Sequence, residues 1–160
     1  MPKTSRPAPV PSALSAATAS AVLPALALHE LRLTANRRAV LAVLDHGDRP
    51  LTTDEVSAAA GVPVSTVYRN LAELVEAGVV VRVAGAGGGD RHELAEAFSQ
   101  HHHHHLVCTS CGGVEDFTPS PQLERLIDKE VGSILGATGF QVEHHVCDVR
   151  GTCRECSAGA

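Results

Sequence analysis

Residues 52–83 read TTDEVSAAAGVPVSTVYRNLAELVEAGVVVRV, and their helix and turn signals define the fold of the first half of the chain. Thr52 and Glu55 have the spacing of a capping box, which predicts a short helix after Thr52. Gly61 begins a predicted turn. Apolar residues then recur at helical spacing from Val67 onwards, which predicts a second helix beginning at Ser65 and stopped by Gly78. The stretch therefore predicts a helix-turn-helix.

The flanking segments extend this pattern. Upstream, Thr34 is predicted to cap a helix that ends near His46. Downstream, the β-branched residues 79–83 predict a strand, residues 85–89 a glycine-rich turn, and residues 91–94 the returning strand. Helices followed by a hairpin are the order of a winged helix-turn-helix.

The second helix of the motif displays side chains that reach base edges and phosphates when a helix N-terminus enters a major groove. A solvated helix face is the competing interpretation, since acidic residues follow, but the helix-turn context favours DNA. The residues expected to contact DNA on this helix are Ser65, Thr66, Tyr68, Arg69 and Asn70.

Two Cys-x-x-Cys clips, Cys108–Cys111 and Cys153–Cys156, mark the second half of the chain. Together they offer the Cys₄ shell that zinc prefers, whereas a thioredoxin-like redox motif is the alternative. The sequence shows no secretory or membrane-spanning segment, so we expect a cytoplasmic protein whose thiols bind metal. We predict one structural Zn²⁺ on the four clip cysteines, with Cys147 outside that site.

A run of five histidines, His101 to His105, stops just before the first clip. In a strand, odd-numbered and even-numbered members point to opposite faces, so two sites can share the run. Acidic residues on the predicted neighbouring strands add oxygen ligands, and His145 is expected mid-strand on the face of Glu143 and Cys147. We therefore expect a second divalent metal, in a site separate from the cysteines.

The rest of the second half predicts a small α/β unit. Residues 114–117 predict a strand, Ser120-Pro121 begins a helix that Gly139 ends, and residues 140–150 predict another strand. The fold class is therefore α+β. The Pro- and Ala-rich residues 1–24 predict a disordered leader.

Charge is divided unevenly along the chain. The formal net charge is −5, made of +2 over residues 1–24, −1 over 25–83 and −6 over 84–160. This balance argues against a general polyanion binder. Nucleic-acid contacts should come from the first half, and cations suit the second half.

Taken together, the motifs resemble those of the ferric uptake regulator (Fur) superfamily over about residues 25–157. The matching segments are Arg32-Leu-Thr, Asn36-Arg37, Thr53-Asp54-Glu55, Ser65-Thr-Val-Tyr-Arg-Asn-Leu71, Glu76-Ala-Gly78, His102 to Cys108, Cys111-Gly, Asp116-Phe117 and Gly151-x-Cys-x-x-Cys156.

The resemblance implies a metal-activated repressor that binds a palindromic double-stranded DNA operator as a homodimer, without any membrane association. It implies a winged-helix DNA-binding domain at 25–95 and a metal-binding dimerisation domain with the Cys₄ zinc site at 96–160. Tyr68 and Arg69 would contact bases, and Arg32 the minor groove. The regulatory metal, Zn²⁺ or Fe²⁺, would lie on Glu93, His103, His105 and Asp116, and an additional site on His102, Glu124 and His145.

Two departures concern the metal. Actinobacterial zinc sensors of the superfamily often have a cysteine shortly before the histidine run, where this chain has Glu93-Leu-Ala. Iron and peroxide sensors of the superfamily usually draw a regulatory histidine from just before the second helix of the DNA-binding domain, where this chain has Arg49-Pro50. His46 and His92 lie nearby in sequence and are further candidate ligands. A metalloenzyme is disfavoured because no His-Glu-x-x-His arrangement is present. A metal buffer or metallochaperone without DNA binding is the alternative function, but it leaves the helix-turn-helix unexplained.

Overall fold

The computed structural model describes residues 13–84, 89–99, 102–142 and 145–158. The elements in this part of the chain, in order, are α1 (Ala16–Leu28), α2 (Ala35–Asp45), β1 (Leu51–Thr52), α3 (Thr53–Ala60), α4 (Val64–Glu76), β2 (Val80–Ala84), β3 (Asp90–Leu94), β4 (His104–Cys108), β5 (Val114–Phe117), α5 (Pro121–Thr138), β6 (Asp148–Gly151) and α6 (Arg154–Ala158).

The predicted helix-turn-helix is formed by α3 and α4. The Thr52 hydroxyl accepts the Glu55 backbone N–H at 3.2 Å, and the Glu55 carboxylate accepts the Thr52 N–H at 2.8 Å, which completes the capping box. Gly61 ends α3 and Gly78 follows α4, both with φ near 65–68° in the left-handed region that suits glycine. α4 begins at Val64, one residue before the predicted start.

The predicted hairpin is formed by the antiparallel strands β2 and β3, with β1 added on the other side of β3. The short strand β1 has too few residues for a periodic signal, and the sequence does not predict it. Residues 85–88 of the expected glycine-rich turn lie outside the described residues.

Helix α1 corrects the prediction of a disordered leader over residues 1–24. Residues 16–24 belong to this helix, so the prediction is wrong there, while residues 1–12 lie outside the described residues. The cause is a contact distant in sequence. Asp45, at the end of α2, accepts hydrogen bonds from the Ser15 N–H at 3.0 Å and from the Thr18 hydroxyl at 2.5 Å. Val22 and Leu26 of α1 are also buried.

A second sheet has the order β5-β4-β6, with β4 antiparallel to β5 and parallel to β6. The predicted strand over residues 140–150 is wrong for most of its length, because β6 covers only Asp148–Gly151. Its pairing with β4 begins with Asp148 opposite His105, and the described residues before Asp148 are not part of the strand. The predicted α5 is confirmed, with Ser120 as N-cap and Gly139 at its end.

The hydrophobic core lies almost entirely in the first half. It contains side chains from α1 to α4 and from β2, including Val22, Leu41, Val56, Leu71 and Val80. In contrast, α5 has no buried residue, and four of its large apolar side chains are 38–55% exposed: Leu123, Leu126, Ile134 and Leu135. No helix in the described part of the chain has the length and apolar character needed to cross a bilayer.

Candidate metal centres and DNA-contacting helix

Four thiols meet at one end of the second sheet. Cys108 ends β4, and the pairing of Cys108 with Gly151 across β4 and β6 brings the second clip beside the first. The four Sγ atoms, from Cys108, Cys111, Cys153 and Cys156, all lie within 4.8 Å of one another. This is the donor set of a structural zinc site. Cys147 is half-buried and lies outside the group.

Backbone N–H groups point at the sulfurs of the first clip. The Cys153 N–H donates to Cys108 Sγ at 3.3 Å, and the Gly113 N–H donates to Cys111 Sγ at 3.4 Å. Hydrogen bonds from backbone N–H groups, that of Cys153 first and that of Cys111 next, lower the pKa of Cys108 to about 6. Neighbouring sulfurs, Cys153 first, raise the pKa of Cys156 to about 12. One thiolate is thus stabilised by the protein, and a cation is needed to deprotonate the whole group.

A second group, the Glu93 group, consists of Glu93, His103, His105 and Asp116 and joins the two halves of the chain. Glu93 lies on β3, whereas His105 and Asp116 face each other across β4 and β5. Glu93 carboxylate oxygens are 3.1 Å from both His103 Nε2 and His105 Nε2. One ligand atom from each member lies within 4.8 Å of the others. Two imidazoles and two carboxylates are ligand types that both zinc and iron bind.

Burial and the neighbouring charges set the ionisation of the Glu93 group. Burial raises the pKa of Glu93, but hydrogen bonds with His103 and His105 outweigh it and hold this pKa below its ordinary value. Burial lowers the pKa of His105, but Glu93 and Asp148 outweigh it, so this pKa is raised. The pKa of Asp116 is raised by burial. Two half-buried carboxylates in one place favour a bound cation.

A third group, the Glu124 group, consists of His102, His104, Glu124 and His145 on the other side of β4. His104 is 1% exposed, its Nε2 lies 2.9 Å from Glu124 Oε1, and its Nδ1 accepts the Cys147 N–H at 3.1 Å. His104 therefore carries its proton on Nε2, toward Glu124. The Nε2 atoms of His102 and His145 lie 3.5 and 3.4 Å from Glu124 Oε2. His145 lies in no strand, contrary to the prediction, and Glu143 lies outside the described residues.

Three buried ligand atoms in these groups have no hydrogen-bond partner within the described residues: Asp116 Oδ1, His102 Nε2 and His145 Nε2. Buried polar atoms are normally paired, so a cation at each group would satisfy them. A cleft of about 450 Å³ borders the Glu93 group and gives it access to solvent. His46 and His92 line this cleft, but neither belongs to a ligand group in the described part of the chain.

The expected DNA-contacting side chains divide into two sets. Ser65, Tyr68 and Arg69 are exposed on α4, Tyr68 by 70%, and Arg32 is exposed in the loop before α2. Thr66 is half-buried. The prediction that Asn70 contacts DNA is wrong in this structure. Asn70 is only 8% exposed, and its side chain donates to the Thr66 carbonyl at 2.8 Å. It lies on the inner face of α4 with Val67 and Leu74.

Two contacts in these sites lie outside what the resemblance implies. The resemblance assigns no role to His104, although alternation places it on the face of His102. Asp148 also has no predicted role, yet its carboxylate lies 3.3 Å from His105 Nδ1. The parallel pairing of β4 with β6 is what brings Asp148 there, and no local sequence signal predicts such a pairing.

Known proteins resemble this chain in sequence. The sequence model of the ferric uptake regulator family matches residues 29–150. The peroxide-responsive repressor PerR of Staphylococcus aureus is 31% identical over 134 residues, which cover 79% of this chain and 82% of that protein.

Solved structures show the same likeness. The Vibrio cholerae ferric uptake regulator is 30% identical with a TM-score of 0.60, covering 81% of this chain and 98% of that one. The Pseudomonas aeruginosa ferric uptake regulator with manganese is 26% identical with a TM-score of 0.66, covering 88% and 99%.

Proposed function

Since this chain belongs to the ferric uptake regulator family, whose members are metal-responsive transcriptional regulators and not enzymes, we propose that it is a cytoplasmic metal-activated repressor. In this proposal, a homodimer binds a palindromic operator in double-stranded DNA when a divalent metal occupies the Glu93 group. The four clip cysteines hold a structural Zn²⁺, and His102, Glu124 and His145 form an additional site with His104 beside Glu124.

The Glu93 group is the observation that carries this proposal, because it takes ligands from both halves of the chain. Glu93 comes from the hairpin of the winged helix, and His105 and Asp116 come from the second sheet. A bound ion would fix α4 relative to the C-terminal half and favour one spacing of the two α4 helices in a dimer. Metal affinity and operator affinity are then linked reciprocally.

Zinc is the regulatory metal that the Glu93 group suits best. Four protein ligands, two nitrogen and two oxygen, would supply as many donors as the tetrahedral shell that zinc prefers requires. Just before α3, where iron and peroxide sensors of the family usually supply a histidine, this chain has Arg49, whose positive charge interacts with Asp116. An arginine adds charge without adding a ligand. Fe²⁺ is the alternative, since mixed nitrogen and oxygen shells also bind iron.

The test uses the double variant His103→Ala/His105→Ala. An operator is first selected from a random DNA library by the wild-type protein in the presence of zinc. Gel shifts with this operator then compare zinc, iron(II), manganese and nickel. The double variant should keep the structural zinc and the dimer, yet lose metal-dependent binding.

His46→Ala is the matched control, because His46 lines the same cleft outside the ligand group. It should respond to metal as the wild type does. A wild-type response in the double variant would place the regulatory site elsewhere, with the Glu124 group next to be tested. A protein that binds zinc but selects no DNA under any metal would instead be a buffer or metallochaperone.

A further inference from the structure

Three ionisable side chains form one row across the second sheet. His105 on β4 is directly paired with Asp116 on β5 and with Asp148 on β6. Directly paired residues of neighbouring strands point to the same face of a sheet, so a carboxylate flanks the imidazole on each side. Asp116 belongs to the Glu93 group, whereas Asp148 has no part in it.

The two nitrogens of His105 meet different carboxylates. Nε2 lies 3.1 Å from Glu93 Oε1, and Nδ1 lies 3.3 Å from Asp148 Oδ1. The His105 side chain is only 3% exposed, so these contacts fix its ring. Because the two nitrogens lie on different edges of the ring, an ion at Nε2 and the carboxylate at Nδ1 do not compete.

Without a metal, both ring nitrogens of His105 face carboxylates, so both can carry a proton. Once an ion replaces the proton on Nε2, Asp148 selects the tautomer that keeps the proton on Nδ1. A carboxylate only accepts hydrogen bonds, so Asp148 requires a proton on Nδ1 of His105. A neutral ring with its proton on Nδ1 has a lone pair on Nε2, which is the atom that faces the Glu93 group. Metal-ligating histidines commonly donate their other N–H to a carboxylate, which orients the ring and makes it a stronger ligand.

We propose that Asp148 is a positioning residue for the regulatory metal: it holds His105 in the tautomer and orientation that present Nε2 to the ion. This inference rests on the proposed function of the Glu93 group. Arg150 lies 3.6 Å from the other oxygen of Asp148, and both side chains of that pair are at least one third exposed. The competing interpretation, a surface ion pair alone, gives Asp148 no effect on metal binding.

The experiment measures metal at the Glu93 group alone. All variants carry His145→Ala, which weakens the Glu124 group, and zinc fills the cysteine site first. Chelator competition then gives the dissociation constant for a second zinc, and Co²⁺ in its place reports ligand orientation through its visible absorption. The variants are Asp148→Ala and Asp148→Asn. The control is Glu115→Gln, which removes an exposed carboxylate from β5, where Glu115 is paired with Leu106.

We expect Asp148→Ala to weaken the second zinc about 10- to 100-fold relative to Glu115→Gln and to shift the Co²⁺ bands. Asp148→Asn should weaken it less, because an amide oxygen still accepts the Nδ1 proton. The inference is overturned if both Asp148 variants match the control in affinity and spectrum. If Asp148→Ala loses the cysteine-bound zinc or the dimer, Asp148→Asn alone decides: a control-like affinity and spectrum then overturns the inference.

A His105→Ala variant separates this result from failure of the proposed function. If the parent protein and His105→Ala bind the second zinc equally, the regulatory site itself is wrong. If His105→Ala loses that zinc while the Asp148 variants keep it, only the role of Asp148 is wrong.

Discussion

Glu55 shows how one residue serves both a helix and the packing around it. Besides closing the capping box of α3, its carboxylate lies 2.8 Å from Arg49 and 3.3 Å from Arg91. Burial alone raises the pKa of Glu55, but these contacts, led by the hydrogen bond from Arg49, lower it from 4.5 to about 2. A carboxyl whose pKa is lower in the folded state stabilises the fold above its unfolded pKa, and this stabilisation is lost as pH falls toward the folded value.

We therefore predict a pH-dependent effect of Glu55→Gln. Glutamine preserves the capping box but removes the charge. The free energy of unfolding should fall by up to about 1 kcal/mol near neutral pH, a modest loss because the carboxylate is 37% exposed. Urea titrations should show this gap shrinking as the pH drops below about 4.5. The exposed neighbour Asp54, changed to Asn, provides the comparison. A Glu55→Gln gap that is constant down to pH of about 3 would contradict the assignment.

Tyr68 and Arg69 are the exposed residues of α4 that best suit base contacts. Replacing either with Ala should cost about 1–3 kcal/mol of operator binding at saturating metal, with the metal affinity of the free protein unchanged. Arg125→Ala removes the same charge from exposed α5 and should leave operator binding near wild type. Fluorescence anisotropy with the selected operator measures all three. Unchanged affinity in both α4 variants would remove the recognition-helix assignment.

Helix α5 has an apolar face but no buried residue. In a symmetric dimer each copy contributes the same surface, so a change at Leu126 acts twice. Leu126 is 55% exposed in the single chain. Burying one leucine side chain contributes about 1.5–3 kcal/mol, so Leu126→Asp should weaken the dimer by roughly 10² to 10⁴-fold.

Analytical ultracentrifugation checks this prediction about α5. Asp128→Ala, about 200° around the same helix from Leu126, should keep the wild-type dimer constant. A Leu126→Asp variant with wild-type self-association would show that the dimer uses another surface.

The elements that could be predicted are those whose signals are local. The capping residues Thr34, Thr52 and Ser120 define the starts of α2, α3 and α5, and Gly139 defines the end of α5. The errors arise from contacts distant in sequence. The start of α1 is fixed by a hydrogen bond from Ser15 to Asp45. The length of β6 is set by its pairing with β4, which begins with Asp148 opposite His105.

The same distinction holds for the candidate sites. Alternation along the histidine run separates its members onto two faces, and the structure places the rings of His103 and His105 5.4 Å apart and those of His102 and His104 4.9 Å apart. The metal ligands and DNA contacts remain predictions to be tested. Asn70 differs from its neighbours, because this polar residue within an exposed motif lies on the buried face of α4.

For the whole molecule, the family and the α+β fold class are confirmed: an N-terminal winged helix precedes a C-terminal dimerisation domain with a cluster of four cysteines. The described halves meet at a second place besides the Glu93 group. Arg91 on β3 donates to the Gly112 carbonyl, beside the first cysteine clip, at 3.3 Å. Arg91 also contacts Glu55 of α3, so it links the clip to the helix-turn-helix.

The small apolar core of the C-terminal half predicts a strong dependence on metal. Its buried cluster contains only Val83, Val107 and Val114 in the described residues, and Val83 comes from β2. Metal-binding energy is then a large part of folding energy. Cys108→Ser should lose the structural zinc and lower the melting temperature, whereas Cys147→Ser should retain both. Zinc analysis with calorimetry measures this, and full zinc with an unchanged melting curve in Cys108→Ser would contradict it.

The alternation of the histidine run has a consequence for how the gene tolerates gained and lost codons. The ligand groups use the four histidines at 102–105, counted back from Cys108, while the run has five members. Losing any one histidine codon leaves all four of those positions occupied by histidine. One extra codon between His105 and Cys108 would instead move every histidine to the opposite face, leaving the Glu93 group with a single imidazole. The ligand positions therefore tolerate the loss of one histidine but not an insertion between the run and the first clip.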